Sequence, residues 1–239
     1  MSAVLELRAV SADYGPFHAL FDVSLSVGTG EAVALLGPNG VGKTTVARVA
    51  TGLVRPTSGR VLVDGTDMTG EPTHRFVRAG VAHAPEGRSV FASLTVEENL
   101  VLSFRQARGR GGVHAALDQA FALFPALGSR RRQIAGTLSG GEQRMLSMAR
   151  VLVEEPKVLV ADELSLGLAP IVVDEVYANL ERLRTAGTSL LIVEQHVGHA
   201  LALCDRVVLL DHGAVAWQGS PADATARVVA GVFEHPPAT

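Results

Sequence analysis

Cysteine is almost missing from this chain. Cys204 is the single one among 239 residues, so no internal disulfide can form and a reducing compartment is expected. The simplest reading of Cys204 is a small buried apolar side chain. Long hydrophobic runs are missing as well. No uncharged stretch exceeds about a dozen residues, short of the ~18 or more that a spanning helix needs. Glu6 and Arg8 interrupt the first apolar run, which argues against a signal peptide. The chain is therefore expected to be soluble by itself and to meet a membrane only through a partner. A basic surplus is absent too: Lys plus Arg number 21 against 24 Asp plus Glu, a net charge of −3. That balance offers no general reason to expect nucleic acid.

What is present is globular. Hydrophobic residues make up 47% and charged residues 19%, and the length suits one large domain or two small ones. Leu5–Val10 and Phe21–Val27 alternate apolar and polar positions around Tyr14-Gly15-Pro16, which predicts two strands and a turn. Glu31–Leu36 is a short apolar run that ends at a glycine-rich loop, so a buried strand followed by a helix from about Gly42 is expected. Gly59–Val63 reads as a strand closed by Asp64-Gly65, and Val81–Pro85 as another. Thr95–Arg105 and Val113–Phe124 have helical spacing, with Thr95 and Glu98 as a capping box. Arg108–Gly112 reads as a solvated basic connector. After Ser139, helices at 141–153, 171–185 and 197–204 alternate with strands at 158–161, 189–193, 206–210 and 214–219. This alternation predicts an α/β fold with a mostly parallel sheet and helices on both faces.

Three motifs carry chemistry. Gly37-Pro38-Asn39-Gly40-Val41-Gly42-Lys43-Thr44-Thr45 fits G-x-x-x-x-G-K-[ST] between a predicted strand and a predicted helix, the context a phosphate loop requires. Its glycines let backbone N–H groups converge on an anion, and the helix start adds partial positive charge. Lys43 is expected on the outer phosphates, the Thr44 hydroxyl on Mg²⁺ and Thr45 on a phosphate. A glycine-rich turn with a surface lysine is the rival. Asp162 and Glu163 end an apolar strand, where ligands of open parallel sheets bind. Asp162 is a candidate Mg²⁺ ligand and Glu163 a candidate base for the water that attacks the terminal phosphate; helix capping is the alternative. Leu138-Ser139-Gly140-Gly141-Glu142-Gln143 places a serine hydroxyl and two glycines at a helix start, a second anion site as well as an N-cap.

Together these motifs resemble an ATP-binding cassette subunit of an ABC transporter, over about Leu5 to Gly219. The resemblance implies a P-loop NTPase fold with an antiparallel β part and a helical subdomain. The single domain over 1–239 would divide into a nucleotide-binding core (1–85 and 136–219), the helical part (86–135) and a C-terminal tail (220–239). It further implies that Ser139, Gly140, Gly141 and Glu142 of one copy bind the γ-phosphate of ATP held by a second, head-to-tail copy. Tyr14 matches the aromatic that stacks on adenine, with a core tyrosine as the alternative. Pro85-Glu86-Gly87-Arg88, Leu94–Leu100 and Ser165–Pro170 resemble, more narrowly, the smaller ATPase of branched-chain amino acid importers. The partners implied are another cassette, two membrane permeases and, indirectly, a substrate-binding protein, at the cytoplasmic face of the membrane. Phe91, Leu94, Val96 and Leu100 would line a groove for a permease helix or serve as ordinary core.

The chain departs from the family pattern in places. Glu86 stands where most cassettes carry glutamine, and is a candidate near Mg²⁺. Leu164 replaces the proline after the acidic pair, and Ala169 aligns with an expected aspartate. The switch histidine aligns with Gln195, with His196 one residue later, so both are candidates. A soluble cassette ATPase outside transport, an ATP sensor without turnover, and a urea or short-amide importer are the other readings.

Overall fold

A computed structural model describes residues 2–85, 90–108, 110–152, 155–195 and 197–229. The elements run β1 (Ala3–Tyr14), β2 (Phe17–Gly28), β3 (Ala32–Leu36), α1 (Lys43–Ala50), β4 (Ser58–Val63), β5 (Thr66–Asp67), α2 (Thr73–Ala79), β6 (Val81–Ala84) and α3 (Val96–Arg108). They continue with α4 (Val113–Leu123), α5 (Pro125–Gly128), α6 (Gly140–Leu152), β7 (Val158–Asp162), α7 (Pro170–Thr185), β8 (Ser189–Glu194), α8 (Val197–Leu203), β9 (Arg206–Asp211), β10 (Ala214–Gly219) and α9 (Pro221–Val229). Two compact units are built from these: residues 1–83, 157–163 and 184–239, and residues 84–156 and 164–183. The expected helical part, 86–135, lies inside the second unit, which also takes in α6 and most of α7.

The first unit holds two sheets. One is four-stranded, β2-β1-β4-β5, with antiparallel pairs throughout. The other is six-stranded, β10-β9-β3-β8-β7-β6. Its centre is parallel: β3 pairs with β8 and β9, and β7 with β8, while β10 returns antiparallel on β9. Every residue of β3, β7 and β8 is buried. Strands covered on both faces are apolar along most of their length, and here buried polar residues stand only at strand ends, as Asp162, Ser189 and Glu194. Registers Leu36↔Glu194 and Asp162↔Val193 bring the carboxyl ends of β3, β7 and β8 to one edge. The loops after all three strands therefore share one rim of the sheet. α1 buries Val46, Ala47, Val49 and Ala50 in the same core as Val33, Leu35, Val160 and Val193. Cys204 is buried, and burial pushes its thiol up to about 11, in keeping with its reading as an apolar side chain.

The second unit is helical. α3, α4, α5 and α6 pack on one another around Phe104, Leu100, Leu127, Leu146 and Met148, all fully buried. The capping box forms: the Thr95 backbone N–H donates to Glu98 Oε2 at 2.8 Å and the Glu98 N–H to Thr95 Oγ1 at 3.2 Å. Val96 and Leu100 are core, so they do not line a groove. Phe91 is exposed, with the Arg150 guanidinium 5.0 Å from its ring centre. Residues 110–112 form a single 3₁₀ turn rather than an irregular connector.

Candidate nucleotide site

The site is built on the loop between β3 and α1. Two of its glycines are required by close approach. A Cβ on Gly37 would sit 2.3 Å from the Leu210 carbonyl oxygen, and one on Gly42, at φ 104°, 2.8 Å from the Ala19 carbonyl oxygen. A Cβ on Gly40 would meet nothing within 4 Å, so only its left-handed φ of 81° calls for glycine. The Gly213 N–H donates to the Val41 carbonyl at 2.9 Å, which ties the loop to the turn between β9 and β10. Pro38 and Asn39 are exposed on the loop, and Thr45 is buried at the first turn of α1.

Lys43 is 3% exposed. A buried ammonium needs partners for its protons, and Lys43 Nζ donates to the carbonyls of Gly37 and Pro38, both at 2.9 Å. It also stands 3.6 Å from Glu163 Oε1. Lys43 is thus folded over its own loop and against the acid. Glu163 directly follows β7 with φ 47°, and its N–H donates to the Val193 carbonyl at 2.8 Å. A left-handed glutamate is strained, and that bond holds it at the rim. Thr44 Oγ1 donates to Asp162 Oδ1 at 3.4 Å, with Asp162 fully buried. A hydroxyl and a carboxylate side by side are hard oxygen donors that suit Mg²⁺.

A cavity of about 510 Å³ runs along this loop. Lys43, Thr44 and Glu163 line it on one side; Tyr14, His18 and Phe21 of the β1–β2 hairpin line it on another, with His212. Tyr14 is 40% exposed, so the core-tyrosine reading is wrong and a ring face is available to a base. His18, Phe21 and His212 escaped the sequence analysis. Their signal was slight: His18 and Phe21 flank the Ala19-Leu20 pair behind Tyr14, and His212 sits in a turn. Gln195 is exposed at the end of β8, beyond the rim position of Asp162, and is not part of this cavity wall. Glu86 and His196 lie outside the described residues.

The expected second anion site falls at the start of α6. The Ser139 N–H donates to Glu142 Oε2 at 2.9 Å, and the Glu142 N–H to Ser139 Oγ at 3.3 Å. Arg130 Nε pairs with Glu142 Oε1 at 2.8 Å. Glu142 is held below the usual carboxylate range: burial opposes this, but the bonds from Ser139 and the charge of Arg130 outweigh it. Gly140 is the first residue of α6. A Cβ on Gly141 would lie 3.2 Å from both methyl carbons of Val172, so this glycine also serves close packing of α6 against α7.

Known proteins resemble this chain in sequence and fold. The family model described as ABC transporter matches residues 20–165. The chain is 41% identical to the high-affinity branched-chain amino acid transport ATP-binding protein BraG of Pseudomonas aeruginosa, over 89% of this chain and 91% of that protein. It is 33% identical to the lipopolysaccharide export system ATP-binding protein LptB of Escherichia coli, over 92% of both. Its fold matches the ADP conformation of MJ1267, an ATP-binding cassette of an ABC transporter, with a TM-score of 0.82, 25% identity and coverage of 99% and 96%. With a phosphate loop, an acidic pair and a serine–glycine helix start in their expected places, the chain belongs to the ABC transporter family of ATP-binding cassettes, ATPases coupled to transport.

Proposed function

We propose that this chain is the ATP-hydrolysing subunit of an importer for branched-chain amino acids. It would work as a head-to-tail pair of cassettes at the cytoplasmic face of the membrane, joined to two permease subunits and served by a substrate-binding protein. What carries the cargo reading is the 41% identity to BraG across nearly the full length of both chains. Among the described residues no helix is long and apolar enough to cross a membrane.

The roles follow from the groups on the rim. The amides of residues 37–45 and the start of α1 hold the phosphates, and Tyr14 stacks on the base. Lys43 exchanges two carbonyl partners for phosphate oxygens, a stronger charge-assisted bond. Thr44 and Asp162 would hold Mg²⁺, with Glu86 as a further ligand; the ion supplies charge neutralisation on the phosphate oxygens. Glu163 orients the attacking water and accepts its proton. Gln195 donates a hydrogen bond to the terminal phosphate, with His196 as the alternative. Ser139, Gly140, Gly141 and Glu142 of the second copy close over it.

Export is the second reading, favoured by the 33% identity to LptB over 92% of both chains. The two are separated by isolating the membrane subunits that co-purify with the chain and reconstituting them in vesicles. ATP-dependent accumulation of radiolabelled leucine or isoleucine is expected. Vesicles that instead extract lipopolysaccharide, or that take up urea and no amino acid, refute the cargo assignment.

A further inference from the structure

The base end of the cavity holds a feature that stacking alone does not use. Asp13 and His18 are cross-strand partners at the tip of the β1–β2 hairpin. His18 Nδ1 lies 2.6 Å from Asp13 Oδ1. An ionised carboxylate only accepts, so Nδ1 carries the proton. In the neutral ring the other nitrogen, Nε2, is then left with a lone pair. The hydrogen bond at one nitrogen sets what the other can do. His18 lines the cavity together with Tyr14, and its ring centre is 5.9 Å from that of Phe21. Lys43 and Thr44 line the phosphate side of the same cavity. A nucleotide with its phosphates on the loop and its base on Tyr14 therefore brings the base edge to the hairpin that carries His18.

Adenine and the 6-oxo purines differ at that edge. Adenine offers an amino donor, whereas hypoxanthine and guanine offer a carbonyl acceptor. We propose that His18, with its tautomer set by Asp13, accepts a hydrogen bond from the adenine amino group and makes this cassette select ATP over 6-oxo-purine triphosphates. The inference rests on the nucleotide reading above and adds a specificity element to it. His212 also lines the cavity, but its Nδ1 partner is the adjacent Asp211, at 2.8 Å, and its ring is more exposed than that of His18. The cross-strand pair is the better fixed of the two.

The test is the ratio of kcat/KM for ATP to that for ITP, measured on the purified full chain at about pH 8.5. One neutral hydrogen bond at a partly exposed site corresponds to about fivefold discrimination. The wild-type protein is expected to favour ATP by at least that factor. His18→Leu is expected to bring the ratio close to one. Asp13→Asn is expected to move it the same way, because the amide can donate to Nδ1 and leave the proton on Nε2. An unchanged ratio in both variants overturns the proposal, as does a ratio that responds only to His212→Ala. If neither variant folds, the wild-type ratio decides alone, and a value near one is fatal. Loss of ATPase in Glu163→Gln tests the nucleotide reading separately.

Discussion

Replacing Glu163 with glutamine changes one oxygen for an NH₂ group and leaves the backbone bond to Val193 intact. Two consequences of opposite sign follow. Glutamine cannot take a proton from water at neutral pH, and a positioned general base contributes about 10²- to 10⁴-fold. At about 1.4 kcal/mol per decade, the barrier rises by about 3 to 5 kcal/mol. At the same time the variant removes a negative charge 3.6 Å from Lys43 Nζ. The Coulomb attraction lost at that separation is about 5 kcal/mol at an effective dielectric constant of ~20, before desolvation is subtracted. Lys43 is then freer to meet a phosphate, and one source of repulsion for the nucleotide is gone. Turnover should fall at least a hundredfold while ATP binds as tightly as before or tighter. Steady-state phosphate release and equilibrium binding of a fluorescent ATP analogue measure the two quantities. Gel filtration with ATP should show a trapped dimer. Turnover within tenfold of wild type removes Glu163 from its role, and a parallel loss of binding points to a collapsed loop instead.

Other perturbations probe separate parts of the argument. Gly42→Ala forces a side chain into a φ of 104° against the Ala19 carbonyl; a loss of about 1–3 kcal/mol in stability and of ATP binding is expected, read by thermal melting and titration. His83 is half-buried in β6, with its Nε2 inaccessible and unpartnered. Burial, with the charge of Arg48 second, pushes its imidazole down to about 4. The native state then binds fewer protons than the unfolded chain between about pH 4 and 6.5, so stability falls as pH drops through that window, by about 3 kcal/mol. Urea titrations of His83→Leu should lack this component; an identical pH slope refutes it. Thr95→Ala removes one half of the capping box and should cost about 1 kcal/mol, checked by urea denaturation. Gln195→Ala should lower turnover more than His196→Ala; the reverse order refutes the alignment on β8.

Much of this fold is legible in the residues. β3, β7 and β8 are near-continuous apolar runs because parallel strands are covered on both faces. α2 and α9 were missed. α2 is seven residues long, has no side-chain cap at Pro72 and buries only Phe76, so periodicity had almost nothing to register. β1 and β2 reach beyond their alternating stretches because irregularities at several points break the register, with Ala9 and Asp22 at positive φ. The phosphate loop and acidic pair could be placed because each spacing serves one local geometry. The hairpin wall of the cavity could not. Asp13 and His18 meet through cross-strand register, which no short motif encodes.

The Ser139 hydroxyl has a double capacity. Its oxygen accepts the Glu142 amide proton, and a hydroxyl keeps its own hydrogen to give away. Closing over a triphosphate therefore need not unpick the first turn of α6. Alanine there would loosen the helix start and remove the hydroxyl donor in a single change, whereas threonine preserves both. On the proposed reading, the latch would engage without first undoing its own hinge.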